Sequence, residues 1–269
     1  MRLAVAGRGV YAYTGTRAAD PALPTMLFVH GAAGDHGVFA LQSRYFAWHG
    51  WNALAVDLPG HGRSEGPALE DVAAIADWIA AVVAAAGARD AVLVGHSLGS
   101  LAVLDCAARH PGSAAQIALL APAAPMPVAE ELLAAAARDD HLACELINGW
   151  SFGPAGQLGG NRNPGLWMPG NSMRLLERTQ AGVLSTDLLA CHRYEGALAS
   201  AAAVGCPALV IMGERDVMAP PRDAQALIGA LKNVRSVTVP GCGHSLMVEQ
   251  PDAVLDALRR FVGTAPAGR

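Results

Sequence analysis

Nine residues constrain this chain more than any others: Ala91-Val92-Leu93-Val94-Gly95-His96-Ser97-Leu98-Gly99. Four apolar residues, enough for a buried strand, run straight into Gly-His-Ser-Leu-Gly. A helical pattern then follows from Ser100 to Arg109. A strand that turns sharply at a serine into a helix is a nucleophile elbow. Glycines are required at 95 and 99 because a Cβ at either would collide with the neighbouring strand and helix. The turn holds the serine hydroxyl at a helix N-terminus, where free N–H groups favour developing negative charge. In a chain with 30 glycines the pentapeptide alone is weak evidence. Its weight comes from what stands elsewhere.

Short apolar runs recur along the chain at Leu3 to Val5, Val10 to Tyr13, Met26 to Val29, Ala53 to Val56, Gln116 to Leu120, Ala208 to Met212 and Val234 to Val239. Between most of them lie amphipathic helical patterns. The clearest is Leu69 to Ala86, with apolar residues at Val72, Ile75, Ala76, Ile79, Val82 and Val83. Alternation of this kind predicts an α/β fold with a mostly parallel sheet covered on both faces. The pattern breaks after Ala121 at Pro122, Pro125 and Pro127. Residues 123–204 then read as helices and loops without a strand, with Ser151 to Gly170 mostly loop. The expected organisation is a first core segment (1–122), an inserted helical lid (123–204) and a second core segment (205–269).

Ligands of such sheets bind beyond the carboxyl ends of the strands. A serine nucleophile needs an imidazole base held by a carboxylate. Ser97, Asp216 and His244 each follow a predicted strand, in the chain order of the elbow class. They are the candidate triad. The oxyanion of the tetrahedral intermediate needs two N–H donors. The backbone of Leu98 and that of Ala32, in the loop after Met26 to Val29, are the candidates, with Ala33 next.

These motifs resemble the α/β-hydrolase fold superfamily. The resemblance rests on His30-Gly31, on Asp57-Leu58-Pro59-Gly60-His61-Gly62-Arg63-Ser64, on the elbow, on Gly213-Glu214-Arg215-Asp216 and on Gly243-His244. It implies an eight-stranded, mostly parallel sheet, a helical cap and no cofactor. Serine at position 97 separates the chain from the dehalogenases and epoxide hydrolases of that superfamily, which use aspartate there. The elbow and the segment after His244 look most like the esterase and enol-lactonase branch. The implied activity is hydrolysis of a small carboxylic ester, lactone or thioester through an acyl-enzyme on Ser97. The alternatives are C–C bond hydrolysis or acyl transfer on the same triad, and a non-catalytic ligand-binding member of the fold.

The lid decides the substrate. His36, Trp150, Trp167 and Arg193 are the candidate substrate-binding residues. Phe152, Leu158, Met168 and Met173 are further apolar candidates, and Arg162, Arg174 and Arg178 could bind a carboxylate. His30 is expected to brace the oxyanion loop, and His61 and His96 to be structural. Five widely spaced cysteines without a C-x-x-C pair suggest neither a metal site nor a disulfide framework. A net charge of −4 argues against a nucleic-acid partner. No apolar run is long enough to insert in a membrane and no signal segment follows Met1, so a cytoplasmic protein acting on a small molecule is expected. The oligomeric state is left open.

Overall fold

A computed structural model describes residues 1–88, 90–160 and 166–263. Its centre is one eight-stranded sheet. The strands are β1 (Arg2–Val5), β2 (Arg8–Tyr13), β3 (Thr25–Val29), β4 (Asn52–Val56), β5 (Val92–His96), β6 (Gln116–Leu120), β7 (Ala208–Gly213) and β8 (Val234–Val239). All eight fall within two residues of the expected runs. Their order is β1-β2-β4-β3-β5-β6-β7-β8. The β1–β2 and β2–β4 pairs are antiparallel and every other pair is parallel.

The chain runs from β3 outward to β4, then returns to place β5 on the other side of β3. The direction of winding therefore reverses between β3 and β5. At such a switch point the loops beyond the two strand ends diverge and leave a crevice. The loop after β3 carries Gly31 to Ala33, and the loop after β5 carries Ser97.

Strands β3, β5 and β7 are buried along their whole length, as expected of a sheet covered on both faces. The helix Val72–Ala85 buries the predicted stripe Val72, Ile75, Ala76, Ile79, Val82 and Val83. Each valine or isoleucine buried this way contributes about 1.5–3 kcal/mol. This helix begins later than expected because Asp71 is its cap, accepting from the Ala74 N–H at 2.7 Å. Edge strand β8 leaves Arg235 to Thr238 exposed, and a charged, polar edge resists pairing with other chains.

Between β6 and β7 the described residues hold six helices and no strand: Glu130–Ala136, His141–Ser151, Pro154–Gln157, Met168–Leu176, Val183–Arg193 and Ala197–Ala203. Two of them cut into the stretch expected to be loop. Pro154 and Pro169 each stand in the first helical turn, where a proline costs no hydrogen bond and presets φ. These prolines start helices here. The insert has a small core of its own, in which Leu132, Ala135, Ile147, Leu176, Leu184 and Leu188 pack together with Ala33 from the loop after β3.

Candidate active site

Ser97 sits between β5 and the helix Leu98–Arg109 with φ 53° and ψ −119°. A side-chain-bearing residue rarely adopts this backbone conformation. Neighbouring contacts hold it there. The Ser97 N–H donates to the Leu120 carbonyl at 2.9 Å, and the Ser100 hydroxyl donates to the Ser97 carbonyl at 2.6 Å. A Cβ at Gly95 would fall on the Gly99 carbonyl, and one at Gly99 on the carbonyls of Val29 and His30. Both glycines thus let the helix close onto the sheet ends.

Asp216 and His244 come from the loops after β7 and β8. Nδ1 of His244 lies 2.8 Å from Oδ2 of Asp216. The other carboxylate oxygen accepts from the N–H groups of Met218 and Ala219 at 2.8 and 2.9 Å. Burial would raise the Asp216 pKa, but the His244 charge and hydrogen bond and the two N–H donors outweigh it, and the net shift is downward. An ionised Asp216 fixes the proton on Nδ1 of His244 and leaves Nε2 as an acceptor. Ser97 and His244 line one cavity. Among the described residues no direct hydrogen bond joins the two side chains, and such bonds commonly tighten only when substrate is bound.

Of the two alanines after β3, Ala32 keeps a free N–H among the described residues, as does Leu98. The Ala33 N–H is already taken by Oδ2 of Asp187 at 2.8 Å. His30 braces this loop as expected. It is fully buried, with Nδ1 2.8 Å from the Gly31 carbonyl and Nε2 accepting from the Leu58 N–H at 3.0 Å. Burial, followed by the nearby His61 charge, pushes its pKa down to about 4. It is therefore a neutral strut.

The cavity has a volume of about 730 Å³. Its walls are mostly apolar. Met126, Leu132, Ile147, Trp150, Met168 and Leu188 of the insert line it together with Ala32, Val38 and Met247 of the core. Asp35 and Arg178 also line it and pair with each other at 3.7 Å.

Of the candidate substrate residues, Trp150 lines this cavity, as do Phe152, Met168 and Arg178. His36 does not. Its N–H and Nδ1 both bond to Oδ1 of Asp57, at 2.7 and 2.8 Å, and its ring packs on Tyr11 and Tyr13. The β4 loop thereby draws it away from the cavity. Trp167 is 73% exposed and lies against Gly170 outside the lining. Arg193 ends its helix on the exposed surface, where a cation suits the helix C-terminus, and is also outside the lining. Leu158, Met173 and Arg174 lie outside it too, and Arg162 falls outside the described residues.

Two buried carboxylates at the site carried no sequence signal. Asp187 joins the insert to the Ala33 loop. Glu249 accepts from the N–H of Gly153 in the insert at 2.8 Å and from that of Gly243, next to His244, at 2.9 Å. Among the described residues no cluster of three or more His, Cys, Asp or Glu could hold a metal, and no helix is long and apolar enough to cross a membrane.

A family model described as alpha/beta hydrolase family matches residues 26–257. A pimeloyl-[acyl-carrier protein] methyl ester esterase of Xanthomonas campestris pv. campestris (strain B100) is 30% identical, over 90% of this chain and 96% of the relative. The enzyme of the same description from Neisseria meningitidis serogroup B is 29% identical, over 90% and 93%. Among solved structures, the enol-lactonase from Burkholderia xenovorans LB400 superposes with a TM-score of 0.86 at 21% identity, covering 97% of this chain and 99% of the other. An esterase from Exiguobacterium antarcticum does so with a TM-score of 0.84 at 16% identity, covering 97% and 98%. At those identities the structural likeness speaks to the fold.

Proposed function

The chain belongs to the alpha/beta hydrolase family and is a serine hydrolase of small carboxylic esters, and from that premise we propose how it acts and on what. Ser97 is the nucleophile, His244 the general base and acid, and Asp216 the group that orients and stabilises the imidazolium. The N–H groups of Leu98 and Ala32 receive the oxyanion. Residues 123–204 are the lid that shapes the acyl pocket.

The reaction runs in two halves. Nε2 of His244 takes the Ser97 proton as Oγ attacks the ester carbonyl, and the oxyanion forms against the two N–H donors. Collapse of the tetrahedral intermediate expels the alcohol, which leaves with the proton held by His244. Water, deprotonated by His244, then attacks the acyl-enzyme. The second intermediate collapses, the acid departs and Ser97 recovers its proton.

The observation that carries this reading is the Asp216–His244 hydrogen bond at 2.8 Å on the wall of a cavity that also holds the strained Ser97. The apolar walls favour an uncharged acyl chain. Among the described residues that line the cavity, the one arginine, Arg178, is already paired with Asp35. The two relatives are named for an ester borne on acyl-carrier protein. The insert of this chain has five arginines against eight acidic residues, which offers no excess positive charge to receive an acidic carrier, so the substrate is read as a free ester.

A series of p-nitrophenyl esters of increasing chain length, run beside a methyl ester free and carrier-bound, tests both parts. Turnover of the free esters that rises with chain length and then falls is expected. A strong preference for the carrier-bound methyl ester would overturn the free-ester reading. Retention of turnover by Ser97→Ala would overturn the mechanism.

A further inference from the structure

Both polar backbone groups of Ala33 are satisfied by side chains of the insert. Its N–H donates to Oδ2 of Asp187 at 2.8 Å, across 154 residues of chain, and its carbonyl accepts from the Thr179 hydroxyl at 3.2 Å. The same hydroxyl lies 3.5 Å from the Leu175 carbonyl, the longer of its two choices. Ala33 has φ 52°, in the left-handed region that alanine avoids, and it is 1% exposed within the hydrophobic core of the insert. A local turn places it there, closed by the Gly34 N–H donating to the Gly31 carbonyl at 3.1 Å. The insert adds a side-chain partner to each of its two backbone groups.

Asp187 is itself anchored. Its Oδ2 also meets Nε2 of His61 at 2.8 Å, and both side chains are buried. Nδ1 of His61 lies 3.0 Å from the Pro59 carbonyl. A carbonyl and an ionised carboxylate are both acceptors, so His61 supplies a proton to each and is an imidazolium. A charge-assisted hydrogen bond of this kind is short and directional. The Val183–Arg193 helix is thus tied through Asp187 to two loops of the core at once: the one carrying His61 and the one carrying Ala32 and Ala33.

We infer that Asp187, with Thr179 as its partner on the carbonyl side, is a positioning residue of the oxyanion hole: it fixes the Ala33 peptide so that the preceding Ala32 N–H faces the carbonyl under attack. This rests on the assignment of Ala32 and Ser97 made above. The core alone does not complete the oxyanion hole, because the insert supplies the groups that set its second donor. Seating the lid and assembling the hole are one event in this protein.

The test compares Asp187→Asn and Thr179→Val with the parent, in the full chain. Three readings are taken: kcat and KM for a short p-nitrophenyl ester, the Kd of an alkyl trifluoromethyl ketone that adds to the serine and places its oxyanion in the hole, and Tm. A donor displaced by about 1 Å costs roughly 10- to 100-fold in rate. Asp187→Asn is therefore expected to lower kcat by that factor and to weaken the ketone in the same proportion, with KM changing less than about threefold. Thr179→Val is expected to show a smaller loss of the same kind. A folded Asp187→Asn with kcat and ketone affinity within about twofold of the parent, or a loss confined to KM or Tm, overturns the inference. Should Asp187→Asn not fold, the same criteria apply to Thr179→Val, whose hydroxyl is only partly buried. Ser97→Ala separates the two levels. If it keeps turnover, the mechanism itself falls. If it is inactive while Asp187→Asn keeps full kcat and ketone affinity, only the positioning role falls.

Discussion

Nε2 of His96 donates to the backbone carbonyl of His244 at 3.0 Å, and the two rings lie 4.8 Å apart. The residue before the elbow serine therefore props the loop of the candidate base. On its other side His96 meets the loop after β3, because a Cβ at Gly31 would come within 3.0 Å of His96 Nδ1 and of Ser97 Cβ. One neutral imidazole thus spaces the elbow, the β3 loop and the β8 loop.

Burial, with the nearby His244 charge, pushes the His96 pKa down to about 3, and burial and His61 push that of His30 to about 4. In the unfolded chain both would titrate near 6.5. As pH falls below that value the unfolded state takes up protons that the folded state refuses, so stability is lost. The loss approaches about 1.4 kcal/mol per pH unit for each histidine, down to pH 4 for His30 and pH 3 for His96. Urea midpoints measured from pH 7 to 4 are expected to fall steeply, and less steeply in His96→Gln. An unchanged slope in that variant would contradict the assignment.

His61 behaves in the opposite sense. Burial would lower its pKa, but the hydrogen bond and charge of Asp187 and the Pro59 carbonyl outweigh that, with Asp57 adding to the pull, and the net shift is upward. The neighbouring His30 ring, 5.0 Å away, is neutral and does not oppose it. The stability contributed by His61 is fully present below about pH 6.5 and is lost as pH rises through its raised folded value. His61→Gln is expected to flatten the alkaline side of a Tm-against-pH curve. A parent curve that does not decline on that side, or a variant that declines equally, would show that the pair is not charged.

The sheet was legible because each strand is a short apolar run closed by glycine, proline or a polar residue, and Ser97, Asp216 and His244 could be read as a set because each follows such a run. Burial along the Val72–Ala85 helix was likewise written in its period. The pocket was not. His36 follows a glycine-rich strand end much as Ser97 follows β5, but the carboxylate that captures it, Asp57, stands in the loop after a different strand, β4. Trp167 looked like a pocket aromatic because nothing local says which way the start of a helix faces. The role of Asp187 depends on His61 and Ala33, 126 and 154 residues away, and no local pattern encodes such a partnership.

Strain at the elbow gives a direct stability test. Ser97 holds φ 53°, a conformation that costs a residue with a Cβ about 1–2 kcal/mol relative to glycine. Ser97→Ala is expected to lose turnover by about 10⁴-fold or more with Tm little changed. Ser97→Gly is expected to be equally inactive and more stable than Ser97→Ala, by about 1 kcal/mol once the greater freedom of the unfolded glycine is set against the relief. Equal denaturation midpoints for the two variants would show that the elbow is not strained.

The apolar cavity predicts a chain-length limit that can be moved. Leu132 is 2% exposed and lines the cavity together with Val38 and Met247. Leu132→Trp fills part of the volume. Each methylene that loses its place forfeits roughly 1 kcal/mol. The variant is expected to turn over an acetyl ester within about threefold of the parent and an octanoyl ester at least about tenfold more slowly. A uniform loss across the series would place the acyl chain elsewhere.

Glu249 offers the sharpest test of how the insert supports the His244 loop. Its two oxygens accept from the N–H groups of Gly153 and Gly243, with the Cys242 thiol 3.8 Å away. Burial raises its pKa, and these donors offset the rise only in part. Removing the side chain leaves two buried N–H groups without partners, at about 1–3 kcal/mol each. Nothing else in the loop replaces them, since a Cβ at Gly243 would already collide with Gly153 N and Phe152, leaving no room for a substitute side chain. Glu249→Ala is expected to lower the urea midpoint accordingly and to reduce kcat, because Gly243 adjoins His244. Glu249→Gln keeps one acceptor and is expected to lose less of both. Raising pH through the folded pKa of Glu249 should erode stability in the parent, since a carboxyl whose folded pKa is raised is stabilising relative to its ionised form only while protonated; in Glu249→Gln that erosion should be absent. A Gln variant as unstable as the Ala variant would mean that the N–H pairing is not what the carboxylate provides.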